Sequence, residues 1–210
     1  TPKPSSAASD VYKRQIIYSM YGHIATLAEA EKKGIEQGNP DAEVTIFQVP
    51  ETLPDNVLTL MHAPPKKDYP IITAAELPKF DGFLFGLATR FGNCSGQMKA
   101  FLDTTGGIWA RGELHGKFVG FFESSGSGTH AVTIINNLSY FVHNGCIFVP
   151  LGYAKAGAEL TNLDVAKGGT AWGAGTIAGP TGERQPLDVE LKIAEIQGSE
   201  FVKTVTKHFS

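Results

Sequence analysis

The chain has 210 residues, 42% hydrophobic and 19% charged, with 24 glycines and a formal net charge of −3. This length fits one domain with a sizeable core, and so mild a negative charge offers no surface to nucleic acid or to an anionic membrane. No apolar run approaches the length of a transmembrane helix, and the two cysteines, Cys94 and Cys146, stand in apolar contexts without metal-ligand spacing, as reduced thiols of a cytoplasmic protein would.

Residues 1–15, TPKPSSAASDVYKRQ, are rich in Pro, Ser and Ala and have no periodicity. They read as a disordered tail or an assembly remnant, which leaves residues 16–210 as the folded domain. The first strand is expected over residues 15–19, followed by a polar turn, YSMYGHI, and a helix carrying Ile24, Leu27, Ala28 and Ile35. A second strand is expected over 43–49, and a long proline-bearing connection spans 50–80. A third strand, over 82–87, leads to a helix with Met98, Phe101 and Leu102, and a fourth, over 117–123, to one with Ala131, Ile134, Ile135, Leu138 and Val142. A fifth strand is expected over 146–152. A glycine-rich connection covers 153–186, and a last helix runs from about Asp188 with Leu191, Ala194, Phe201, Val202, Val205 and Phe209.

Runs such as GFLFGL and CIFVPLG lack polar alternation, as strands buried on both faces do. The βαβ order therefore predicts an α/β fold, a five-stranded parallel sheet with helices on both faces. Both long connections are of a length usually reserved for function or for interfaces, and Trp172 and Ile177 are expected to bury against neighbouring subunits.

Ligands of such sheets bind beyond the carboxyl ends of the strands. After the first strand, the amides of a helix starting near Gly22, with Ser19 as a hydroxyl and His23 as an imidazole donor, suit a phosphate monoester without bulk positive charge; a plain helix cap by Ser19 explains the same residues equally well. After the third, TRFGN offers backbone donors for a heteroaromatic ring, or is simply a solvated turn. After the fourth, GSGTHA matches the relaxed dinucleotide pattern, but no carboxylate follows at the ribose position, and a Rossmann site is rejected. No His, Cys and carboxylate cluster has metal-ligand spacing.

Together these turns resemble the flavodoxin-like NAD(P)H:quinone oxidoreductases of the WrbA type, through YSMYGHI, TRFGN, TGGIWA, SSGSG, FVPLGY, GGTAWGAGTIAG and RQP, from about Ile16 to the C-terminus. EAEKKGIE and AELTNLD look like its fungal, protoplast-secreted-protein branch. The resemblance implies bound FMN, NADH or NADPH as co-substrate, two-electron reduction of a quinone to a quinol, a role in oxidative stress, and a homotetramer. Ser19, Met20, Tyr21, Gly22, His23 and Ile24 would cradle the FMN phosphate. Thr89, Arg90 and Phe91, with Gly92 and Asn93, would line the isoalloxazine. Ser124, Ser125, Gly126, Ser127, Gly128 and Thr129 would pack along its other side. Tyr21 would also meet the nicotinamide nucleotide. Trp109 and His143 would border the substrate pocket, His143 giving a proton to the developing quinol oxygen. Outside the resemblance, Trp109 reads as a core or interface residue and His143 as a helix-terminal one.

The chain departs from the family pattern at Ala88, often a proline, at Thr129–His130, at Asn144, and at Glu123, where a serine is common. Two other readings share the fold: a flavodoxin-type electron carrier, though such carriers are more acidic and lack TGGIWA, and a flavin-binding scaffold without turnover. Attachment at the membrane periphery stays open beside a cytoplasmic location.

Overall fold

The computed structural model describes residues 13–128 and 130–209. The tail assigned to residues 1–15 lies outside them up to residue 12, and the sheet begins inside that stretch, at Lys13. Strands β1 (Lys13–Ile17), β2 (Val44–Gln48), β3 (Gly82–Ala88), β4 (Phe118–Ser125), β5 (Ile147–Phe148) and β6 (Ala174–Ile177) are all parallel. Their order is β2-β1-β3-β4-β5, with β6 also on β4, the flavodoxin-like order whose switch point lies between β1 and β3.

The fifth position in the sheet is thus shared. β5 pairs with the start of β4, at Phe118 and Val119, and β6 with its end, from Phe122 to Ser125. The long strand expected over 146–152 shrinks to two residues, and the glycine-rich connection supplies the remainder of that edge. Ile177, expected in a subunit contact, is paired with Ser125 in its own sheet. Trp172 stacks on Phe148 with ring centroids 6.0 Å apart. In the other long connection, Ile72, Leu77 and Phe80 are buried in the chain's own core.

Helices α1 (His23–Gly38) and α7 (Asp188–Phe209) cover one face of the sheet over Ile17, Leu84 and Phe122. Helices α3 (Gly96–Asp103) and α5 (His130–His143) cover the other, over Phe83, Phe85 and Phe121; α2 is Asp55–Leu60, α4 Gly106–Ala110 and α6 Gly157–Thr161. α1 and α7 meet backbone to backbone: a Cβ on Gly34 would stand 2.0 Å from the Glu195 carbonyl oxygen, and one on Gly198 2.2 Å from that of Glu31. That approach fixes the register of α1 and so aims its N-terminus at the strand ends.

α5 ends in a Schellman motif around Gly145 at φ +70°, with Cys146 N donating to Phe141 O at 3.0 Å and Gly145 N to Val142 O at 3.0 Å. This termination places His143 at the helix rim.

Candidate functional site

β1 runs into the turn at Ser19–Gly22, where Gly22 adopts φ +93° as the N-cap of α1, a conformation that favours glycine. Ser19 Oγ accepts from the Ala25 amide at 3.2 Å. The capping reading of Ser19 therefore holds for its oxygen, while its proton remains free to be donated. Helix geometry gives the amides of His23 and Ile24 no intrahelical acceptor, and they sit at the positive end of the α1 dipole.

The His23 ring takes a different place from the one expected. It is buried, and Nε2 lies 2.9 Å from the Arg184 carbonyl oxygen. A carbonyl only accepts, so Nε2 carries the hydrogen and donates it there. The ring therefore ties α1 to the 178–184 loop, and this turn offers a ligand amides and a hydroxyl.

No binding role was expected of that loop, although its ends lie in GGTAWGAGTIAG and RQP. Residues 178–182 wall one side of a cleft of about 300 Å³, opposite Ser19, Met20, Tyr21, His23 and Ile24; Ala88, Thr89 and Arg90 line the floor, with Ser124, Ser125 and Gly126 alongside. The loop is pinned at both ends. Ala178 N donates to Ser125 O at 2.8 Å. Arg184 makes an ion pair with buried Glu190 at 3.1 Å and donates to Ala166 O at 3.0 Å. Glu190 further accepts from Gly168 N, Thr176 Oγ1 and Leu187 N at 2.7–2.8 Å. Burial pushes its carboxyl up, but Arg184 and these donors outweigh that and hold it below the ordinary range.

A second carboxylate, with five donors, supports the first turn. Glu51 accepts from Tyr18 OH at 2.9 Å, Gln97 Nε2 at 3.1 Å, the amides of Thr52 and Leu53, and Lys66 Nζ. Burial raises its pKa, yet these donors bring it to about 2. Nothing in the sequence marked Glu51, because its partners come from four separate segments.

After β3, Arg90 and Asn93 exchange both backbone hydrogen bonds, at 2.8 and 2.9 Å, and the two residues between them have positive φ, +53° at Phe91 and +72° at Gly92. This is the geometry of a type I′ turn. A phenylalanine held there costs on the order of 1–3 kcal/mol, and its ring is fully exposed. Asn136 on α5 secures the turn by donating to Gly92 O at 2.8 Å. Thr89 and Arg90 line the cleft, whereas Phe91 and Gly92 stand outside its wall and Asn93 lines a neighbouring cavity. Of the residues expected after β4, Ser124, Ser125 and Gly126 reach the cleft. Ser127 and Gly128 are exposed beyond it, and Thr129 lies outside the described residues.

Trp109 and His143 come together as expected: Trp109 Nε1 donates to His143 O at 3.1 Å. His143 Nδ1 lies 2.7 Å from Ser139 O, so Nδ1 carries a hydrogen and donates it, which leaves Nε2 facing outward. They border a cavity of about 510 Å³ with Thr105, Asn136, Tyr140 and Asn144. No residue lines both this cavity and the cleft; within one chain the Arg90–Asn93 turn stands between them.

The cleft thus combines the amides and hydroxyl of the Ser19–Ile24 turn with Thr89, Arg90 and Ser124–Gly126 at the ends of β3 and β4. Its donor set fits a phosphate monoester carrying a flat polar ring, as FMN does, with the phosphate on the Ser19–Ile24 turn. Fold and site together define a flavodoxin-like protein. The chain belongs to the NADPH-dependent FMN reductase family, which matches residues 20–159. It is 54% identical to protoplast secreted protein 2 of Saccharomyces cerevisiae, over 91% of this chain and 96% of that protein. It is 55% identical to NAD(P)H quinone oxidoreductase PST3 of Candida albicans, with the same coverage of 91% and 96%. Among solved structures, it is similar in fold to a WrbA-like flavodoxin from Agrobacterium tumefaciens, with a TM-score of 0.62 at 20% identity over 94% of this chain and 99% of that one.

Proposed function

We propose that this protein is an FMN-dependent NAD(P)H:quinone oxidoreductase that reduces quinones to quinols by two electrons. The observation that carries the reading is the convergence of the turns after β1, β3 and β4 on one cleft whose anion-binding end is built from amides and a hydroxyl. The Candida albicans relative, described as an NAD(P)H quinone oxidoreductase, supports it. FMN, once bound, would supply the redox chemistry, hydride transfer from NADH or NADPH and on to the quinone.

The chain's own residues bind and position. Ser19 and the amides of His23 and Ile24 hold the phosphate. The Thr89–Arg90 backbone meets the ring, and Ser124, Ser125 and Gly126 flank it. Tyr21, held by its hydroxyl to Met61 O at 3.1 Å, borders the nicotinamide site. Trp109 gives the quinone a flat apolar wall. With Nδ1 committed to Ser139, His143 passes its proton from Nε2 to the quinol oxygen.

Trp109 and His143 open away from the cleft of their own chain, so in this reading they complete the flavin site of a neighbour in a homotetramer. The exposed Phe91, Trp109, Val132 and Val142 support such an interface. No helix among the described residues is long and apolar enough to cross a membrane, and a cytoplasmic location completes the proposal. Steady-state oxidation of NADH with benzoquinone tests it. Rapid two-electron turnover by a yellow protein is expected, and a colourless or inactive protein would overturn the reading.

A further inference from the structure

Two hydroxyls meet in the wall of the cavity that Trp109 and His143 border. Thr105, the buried N-cap of α4, and Tyr140, near the C-terminal end of α5, both line it. Thr105 Oγ1 lies 2.6 Å from Leu102 O and 2.6 Å from Tyr140 OH. A carbonyl only accepts and a threonine hydroxyl has one proton. Thr105 therefore gives its proton to Leu102, and its contact with Tyr140 uses the tyrosine's. Both hydroxyl hydrogens are thus spent inside the protein. The indole hydrogen of Trp109 is spent as well, on His143 O at 3.1 Å. Burial pushes the Tyr140 phenol above its ordinary pKa, against the lowering by Thr105 and Asn144 beside it, so the phenol stays protonated at neutral pH. What Tyr140 has left for a ligand is lone pairs.

We propose that Tyr140 is a specificity-determining residue that accepts a hydrogen bond from a quinol hydroxyl and gives none to a quinone carbonyl. The proposal rests on the reading above, in which this cavity takes the quinone. Reduction adds two electrons and two protons to the quinone. It turns each carbonyl oxygen, an acceptor, into a hydroxyl, a donor. Before the reaction two acceptors oppose each other at Tyr140; afterwards a donor meets an acceptor. The cavity then holds the reduced product more tightly than the oxidised substrate, and this difference in affinity draws the bound couple toward the quinol. The accompanying cost is a product that leaves slowly and inhibits.

The test is inhibition of NADH–benzoquinone turnover by added hydroquinone, measured beside the KM for benzoquinone in wild type, Tyr140→Phe and Thr105→Val. A thermal melt and the FMN content of each protein check that it is folded and loaded. Tyr140→Phe removes the acceptor, so the inhibition constant for hydroquinone should rise about fivefold, the worth of one ordinary hydrogen bond, while the KM for quinone stays level or falls. Thr105→Val keeps the backbone carbonyl that receives Trp109 N at 3.0 Å, and Leu102 O keeps the residue 105 amide at 3.1 Å. It releases the Tyr140 proton for a quinone carbonyl, and the KM for benzoquinone should fall by about fivefold. An unchanged hydroquinone constant in folded, FMN-loaded Tyr140→Phe, or a raised KM for quinone in that variant, would overturn the inference and leave the quinone reductase reading intact. An FMN-loaded wild-type protein that does not reduce benzoquinone would overturn both.

Discussion

His23 donates from Nε2 to the Arg184 carbonyl at 2.9 Å, across 161 positions of sequence. That contact fastens the first turn of α1 to the loop walling the opposite side of the cleft, and the Arg184 side chain is fastened in turn to Glu190 at 3.1 Å. A residue on α7 thus governs the shape of a phosphate site it does not line. Glu190→Gln should lower stability by about 3 kcal/mol, as when one partner of a buried pair is removed, and weaken FMN binding by roughly tenfold, about 1.4 kcal/mol. A thermal melt and a fluorescence titration measure the two; unaltered FMN affinity would show that the loop holds its shape without the pair.

The α1–α7 contact leaves no room for a side chain at Gly34, where a Cβ would meet Glu195 backbone oxygen at 2.0 Å. Backbone cannot swing aside as a side-chain tip can, so Gly34→Ala should cost about 3 kcal/mol or more. Gly96 in the first turn of α3 has nothing within 4 Å of the same added atom, and Gly96→Ala should be neutral or stabilising, by up to ~1 kcal/mol. Denaturant melts of the pair give the comparison.

Glu31 is fully buried at the same interface, and among the described residues neither carboxyl oxygen has a hydrogen-bond partner. Burial raises its pKa well above 4.5. A raised folded value means the native state binds the proton more tightly than the unfolded chain. The stability it contributes is complete below pH 4.5 and is lost as the pH climbs through the folded value. Glu31→Gln should therefore gain stability relative to wild type as pH rises, on the order of 1–3 kcal/mol at pH 7. Melting temperatures of both proteins from pH 4 to 8 should diverge; parallel curves would contradict a neutral buried carboxyl.

Trp109→Ala should raise the KM for quinone while FMN stays bound, because the indole touches the Trp109–His143 cavity and not the cleft of its own chain. His143→Ala should lower kcat by about 10²-fold if Nε2 supplies the proton. Steady-state kinetics at varied quinone separates the two effects, and wild-type behaviour in both variants would remove these residues from the substrate site.

Most of the sheet and its helices were legible, because GFLFGL and the apolar stripe of the last helix announce their own periods. β6 was not. Its four residues, Ala174–Ile177, contain a glycine and follow another. A Cβ on Gly173 would lie 2.0 Å from Phe121 O, so the close approach that admits this strand also removes the apolar signal that would reveal it. The same limit applies to the site. Ser19, Thr89 and Ser124 stand at or just beyond the C-terminal ends of strands and could be placed by topology, whereas the wall at 178–182 depends on Arg184 meeting Glu190 and His23. The structure brings Trp109 and His143 together, but the type I′ turn separating them from the cleft is a matter of backbone angles at Phe91 and Gly92, which residue identity does not encode.

The most direct measurement is NADH oxidation with benzoquinone by the purified chain, run beside mass identification of its extracted flavin. FMN, released from a yellow protein that turns over quinone by two electrons, is the expected result. FAD as the native flavin, or an FMN-loaded protein that leaves the quinone unreduced, would contradict it.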